Sequence, residues 1–136
     1  MKKIISILFI LLLVIISTVA VASENMIHLL SGSWSKVKLN SSMEDGSSWD
    51  HISTFTCSED SIFSFHYESN QGLVEYDGNG PLILLNDGNG RFSFVVFYTD
   101  YGNKYALHAN YSISADGNVI AIEGRSGNVH IYEKSN

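Results

Sequence analysis

From residue 32 onward, short runs of aromatic and β-branched residues recur along the chain, separated by Gly, Asn, Asp and Ser. Runs of this length with a period of two are the mark of half-buried strands. They predict nine of them, at 32–40, 51–57, 61–67, 72–77, 81–86, 91–98, 104–114, 118–124 and 128–133. Beyond residue 22 no window carries apolar residues at helical spacing. Such even spacing predicts an all-β fold, an antiparallel up-and-down meander forming a barrel or a sandwich, rather than one with crossover helices.

The separators carry their own chemistry. Asp-Gly-Asn-Gly occurs at 77–80 and again at 87–90. A calcium loop of the EF-hand type needs oxygen ligands at positions one, three, five and twelve and a glycine at six. Counted from Asp77, position five is Pro81 and six is Leu82; counted from Asp87, they are Arg91 and Phe92. Both registers fail as metal loops. Asp-Gly and Asn-Gly do readily adopt the positive φ of hairpin turns, so both copies predict turns, as does Asp116-Gly117-Asn118. Pro81 fits the first position of a strand.

The first residues change the picture of the cell biology. Lys2 and Lys3 precede an apolar run from Ile4 to Ile16, and Ala20-Val21-Ala22 supplies a small-residue cleavage site. This predicts a signal peptide over 1–22, a single mature domain over 23–136, export to a periplasmic or secreted location, and no stable membrane insertion after cleavage. The whole chain has a formal charge of −6, and losing two lysines makes the mature part more acidic still. An acidic surface repels phosphate backbones, which argues against nucleic acid as a partner. The single cysteine, Cys57, closes no internal disulfide; a buried thiol and an intermolecular bridge both remain open.

Three motifs stand in order: Gly32-Ser33-Trp34, then Thr99-Asp100-Tyr101, then Gly124-Arg125-Ser126. Together they resemble the lipocalins, in which G-x-W lies on the first strand, T-D-Y follows the sixth, and an arginine ends the eighth. The resemblance implies a closed barrel of about eight to nine strands. It also implies that Gly32, Trp34, Thr99, Asp100 and Arg125 meet at the closed end. Counting the nine predicted strands alternately up and down puts all three motifs at one end. The loops at 41–50, 68–71, 87–90 and 115–118 then fall at the open end. The chain after Arg125 is too short for the helix lipocalins carry there, and predicts a last strand instead.

Strand 104–114 presents Tyr105, Leu107, Ala109, Tyr111 and Ile113 on one face and Ala106, His108, Asn110 and Ser112 on the other. Burial favours the tyrosine face inward, giving a lumen lined with Phe63, Phe65, Tyr67, Phe92, Phe94 and Tyr98. The opposite choice would leave an exposed stripe for a homodimer or protein partner. Trp49, in the longest loop, is placed to close over a ligand or simply to cover the barrel end. On the first strand, alternation from an inward Trp34 takes Lys36 and Lys38 inward too, unless a bulge returns Val37 and Leu39 to the core.

His66, His108 and His130 each lie on a strand, but no local ligand pair occurs, and no metal or cofactor is expected. A Gly-x-Ser-x-Gly elbow is absent, so no enzymatic chemistry is expected either. The expected function is binding of a small apolar or amphipathic molecule through Trp49, Phe65, Tyr67, Phe94, Tyr105, Leu107 and Tyr111. The alternative is a protein-interaction module, inhibitor-like, with its barrel filled by side chains.

Overall fold

The computed structural model describes residues 26–37, 47–69, 74–86, 91–124 and 127–135. The leader at 1–22, Lys38, Leu39, the second Asp-Gly-Asn-Gly and Arg125 lie outside the described residues. Eight antiparallel strands follow one another around a closed barrel: β1 (Gly32–Lys36), β2 (Ile52–Cys57), β3 (Ile62–Glu68), β4 (Glu75–Asn86), β5 (Phe92–Asp100), β6 (Asn103–Ile113), β7 (Val119–Glu123) and β8 (Val129–Ser135). β1 closes the cylinder on β8, with Trp34 opposite Lys134. A helical turn at 26–30 precedes β1, and a 3-10 turn, Ser48–Asp50, precedes β2. Neither was legible as a helical period, because each is too short to repeat one.

There are eight strands rather than nine because two predicted strands are one. The segments at 72–77 and 81–86 merge into β4, and Asp77-Gly78-Asn79-Gly80 runs through its middle as extended chain. Neither Gly78 nor Gly80 takes positive φ. What these glycines supply is room. A Cβ on Gly80 would lie 1.8 Å from the Phe97 carbonyl oxygen, and one on Gly78 would lie 2.3 Å from Cζ of Phe65. The lower-numbered half of β4, Glu75 to Pro81, pairs with β3, whereas Leu82 to Asn86 pairs with β5. The strand therefore changes partner at its glycines, the usual role of strand glycine at a barrel corner.

Removing one strand inverts the direction of every later one. Trp34 sits near the start of β1, where the helical turn seals the barrel: Trp34 Nε1 donates to the Leu30 carbonyl at 2.8 Å, and Lys134 Nζ donates to that of Leu29 at 2.9 Å. A Cβ on Gly117, in the β6–β7 turn, would touch Leu29, so that turn shares the sealed end. Thr99 and Asp100 end β5 at the other pole, a full β6 away. Eleven residues of β6 span roughly 35 Å. Gly124 and Gly127 lie at that far pole as well, after β7 and before β8. The floor expected of Gly32, Trp34, Thr99, Asp100 and Arg125 is thus not assembled by its described members, since Thr99 and Asp100 stand at the pole opposite Trp34; Arg125 lies outside the described residues. Thr99-Asp100-Tyr101 is instead part of a hairpin tip: Tyr101 and Gly102 have φ of 46° and 79°, and Asp100 pairs with Asn103. Two successive positive φ values are those of a two-residue type I′ turn.

Candidate functional site

The lumen is built by alternation. Leu107, Ala109 and Tyr111 on β6 are buried, with Phe94 and Val96 on β5 and Phe63 and Phe65 on β3. Ala106, His108, Asn110 and Ser112 face out. The apolar face of strand 104–114 therefore turns inward along its lower part, while Tyr105 at the far end is 44% exposed.

The strands do not fill this space alone. Trp49, from the turn before β2, is 2% exposed and occupies the centre. Its ring stands edge-on to Phe55, Phe63, Phe94 and Tyr132, with centroids 5.9–6.3 Å away. Trp34 stacks on Phe55 at 5.9 Å below it. Edge-to-face aromatic pairs add about 1 kcal/mol each beyond area burial, so this is a packed core rather than an empty cup. Trp49 is the interior occupant of the barrel, not a cover over it.

Polar contacts hold the turn that delivers it. Trp49 Nε1 donates to the His108 carbonyl at 3.3 Å. Lys36 Nζ donates to the carbonyls of Trp49 and Asp50. The Asp50 carboxylate lies 3.7 Å from Nε2 of the buried His130, and the Tyr132 hydroxyl donates to the Ile52 carbonyl at 2.7 Å. Burial pushes the Tyr132 phenol far up, with Asp50 adding to the shift, so it stays a neutral donor. Alternation does take Lys36 inward, without a bulge. Its ammonium, 5.7 Å from the Tyr132 ring centroid, is engaged by the turn's own carbonyls rather than facing an open cavity.

Above Trp49 the β4–β5 ladder stops, although Gly80 still lies against the Phe97 backbone. β4 and β5 share no ladder beyond Leu82 and Val96. At that level lies a run of rings in contact: His51 with Tyr67 at 5.2 Å, Tyr67 stacked on Tyr76 at 4.8 Å, Phe65 edge-on to both Tyr76 and Tyr98, and Tyr98 stacked on Tyr105 at 5.4 Å. Tyr67, Tyr76 and Tyr98 are half-buried. Burial raises the Tyr76 phenol first, and hydrogen bonding to Tyr98 raises it further. His51 Nδ1 is buried without a hydrogen-bond partner among the described residues.

The expected ligand set therefore divides. Trp49, Phe94, Leu107 and Tyr111 belong to the packed interior; Phe65 forms its roof; Tyr67 and Tyr105 line the mouth. His51 and Tyr76, not anticipated as site residues, complete that mouth. Tyr76 is an alternating inward position of a strand once β4 is seen as continuous, and that was the available signal. The three strand histidines fall apart: His66 bonds Asp77 at 2.8 Å on the outer wall, His108 is exposed, and His130 is interior. Among the described residues no three His, Cys, Asp or Glu groups stand where they could share a metal ion.

Compared with known proteins, the chain matches no family model, no curated protein and no solved structure.

Proposed function

We propose that this protein is an exported, non-covalent binder that takes a small amphipathic molecule at the tyrosine-lined mouth of its barrel. The observation that carries the reading is the run of part-exposed stacked tyrosines over a packed aromatic floor. Flat rings give the apolar contact, and phenol hydroxyls with His51 Nδ1 give the few directed polar groups that small-molecule sites use. Because Trp49 fills the depth of the barrel, the ligand sits at the mouth instead of deep inside. The family likeness that survives is the eight-stranded closed barrel; the lipocalin motif set does not support it further. Export rests on the basic and apolar leader with its Ala-x-Ala end.

A naphthyl-sulfonate fluorescent probe and a fluorescent fatty acid, each titrated into the protein, test this. Binding of either with quenching of tyrosine emission, weakened about tenfold by Tyr105→Ala with an unchanged circular dichroism spectrum, supports it. Absence of binding by both probes overturns it. The filled interior, together with Phe97 and Tyr101 exposed at the β5–β6 hairpin, then favours the protein-interaction reading, in which the barrel is a rigid support for its loops.

A further inference from the structure

The barrel wall has a notch on one side of β6. That strand pairs with β5 from Asn103 to Tyr111, but with β7 only from Asn110 to Ile113, because β7 ends at Glu123 and the chain turns towards β8. From Asn103 to Ala109, β6 therefore has a ladder on one side only. Successive residues of an antiparallel strand turn their backbone groups to opposite sides. The two-residue turn at Tyr101-Gly102 makes Asp100 and Asn103 a hydrogen-bonded pair, so Asn103, Tyr105, Leu107 and Ala109 bond to β5. Lys104, Ala106 and His108 turn theirs into the notch. One of these groups is met from inside: the His108 carbonyl accepts from Trp49 Nε1. Among the described residues, the N–H and C=O of Lys104 and Ala106 and the N–H of His108 meet no protein partner.

A hollow of about 450 Å³ lies along this edge, bounded by Ala106–His108, the turn at Ser47–Trp49 and the end of β7 at Glu123 and Gly124. A strand laid there would prolong β7, antiparallel to β6, and continue the rungs above Asn110 and Glu123. Main-chain bonds to an open edge supply the affinity of such strand addition, and alternate side chains supply the choice of partner. Residues opposite Tyr105 and Leu107 would turn inward, towards the floor that Leu107 and Trp49 form, where apolar side chains fit. Those opposite Lys104, Ala106 and His108 would turn outward. Lys104 is exposed, and among the described residues no carboxylate lies within ion-pair distance of it. A carboxylate directly opposite would pair with it across the strands. Glu123, diagonal to His108, disfavours a second acid at that rung. An edge lysine also deters neutral and basic strands. Two copies of this chain joined about Ala106 would set each Lys104 against the other's His108 and give neither a carboxylate.

We infer that the β6 edge takes up an extended segment of another protein by strand addition, antiparallel to β6, with apolar residues opposite Tyr105 and Leu107 and an acid opposite Lys104. The contact uses backbone groups of the notch rather than the stacked rings of the mouth. It stands whether or not the mouth binds a probe.

Amide hydrogen exchange on ¹⁵N-labelled protein tests it. In the free protein the Ala106 and His108 amides should exchange rapidly, while those of Leu107 and Ala109 are protected by β5. The capped peptide Thr-Val-Thr-Val-Glu at about 5 mM, above a millimolar dissociation constant, should slow the Lys104, Ala106 and His108 amides about tenfold. The reversed peptide Glu-Val-Thr-Val-Thr should not, nor should the first peptide N-methylated at its central residue, which lacks the donor for the Ala106 carbonyl. Lys104→Glu should weaken binding about fivefold, and a peptide ending in Lys instead of Glu should bind that variant better. Ala106→Pro removes a donor on the unpaired side alone and should abolish binding; if it fails to fold, the N-methylated peptide carries the same test. The inference is overturned if the peptide protects none of these amides, or if the reversed or N-methylated peptide protects them equally. It is overturned as well if Ala106 and His108 are protected in the free protein, or become so as protein concentration rises, which is the mark of a second copy.

Discussion

Replacing Trp49 by Ala is the sharpest probe of what fills the barrel. Trp49 touches four rings in edge-on geometry, is 2% exposed, and donates to a strand carbonyl. Truncating a buried tryptophan to alanine costs about 3–5 kcal/mol from lost transfer energy and the cavity left behind. The His108 carbonyl would also lose its indole donor, roughly another 1 kcal/mol. The anchors supplied by Lys36 and His130 survive the substitution, so the turn should stay in place and the cavity should not collapse. We expect a loss of about 4–5 kcal/mol, a large fraction of the roughly 5–15 kcal/mol that holds a domain together. In urea, with a slope near 2 kcal/mol per molar, the midpoint should fall by about 2 M. Free indole should then restore part of the loss, about 2.7 kcal/mol at a hundred times its dissociation constant. The transition is followed by circular dichroism, because added indole masks the Trp34 emission. A loss under about 1 kcal/mol without any indole rescue would refute the packing argument and return Trp49 to the role of a surface cover.

Gly80→Ala should be among the most damaging small substitutions, since the new methyl meets backbone oxygen at 1.8 Å; we expect more than about 3 kcal/mol or failure to fold, against about 1–3 kcal/mol for Gly78→Ala, where the Phe65 ring can move. Equal effects in a thermal melt would sink the corner explanation of β4. His66 should titrate above its usual 6.5, chiefly through its hydrogen bond to Asp77, which outweighs the opposing effect of burial, with the charges of Asp77, Glu75 and Glu68 adding to the rise. Its folded pKa being raised, its contribution to stability is complete below the unfolded value and is lost as pH rises through the folded one. His66→Gln should therefore flatten a small decline in stability over that window, small because the pair is largely solvated. An imidazole proton signal titrating at or below 6.5 would contradict it. Cys57 is 4% exposed, and burial pushes its thiol up to about 12, with Lys134 pulling weakly the other way. Thiol reagents should label it only at the rate of unfolding, and rapid native-state labelling would show the barrel to be open there.

What the sequence conveyed well was whatever depends on local alternation. Leu107, Ala109 and Tyr111 face inward because one side of β6 must be buried, and theirs is the more apolar of its two faces. The Asp116-Gly117 turn is equally local: Gly117 has φ of 72°, and the Asp116 carboxylate accepts from Ser114 Oγ and the Asn118 amide. The Asp-Gly-Asn-Gly of β4 is not local in this sense. The same glycines serve a hairpin through positive φ or a strand corner through a missing Cβ, and the choice is made by the Phe97 carbonyl, seventeen positions on. Trp49 was illegible for a related reason. Its neighbours Ser47, Ser48 and Asp50 are polar, and nothing in their order says that Lys36 and His130 will draw the turn into the barrel.

That single misplaced corner reached as far as function. Counting a turn at 77–80 moved Thr99, Asp100 and Arg125 to the pole of Trp34 and made three short motifs look like one assembled floor. With β4 continuous, the hairpin at Tyr101 and the turn after β7 stand at the pole that the Trp49 turn and the tyrosines share, and the helical turn at 26–30 seals the other. The proposed mouth is then the end where the β4–β5 ladder has stopped, and the glycines set how the rings meet there, because Gly78 lies against the Phe65 ring and Gly80 against the Phe97 backbone. If that chain of cause holds, substitution at Gly78 should disturb probe binding at the mouth through Phe65, which spans Tyr76 and Tyr98, whereas an exposed change on the same strand, such as Asn79→Ala, should leave it alone.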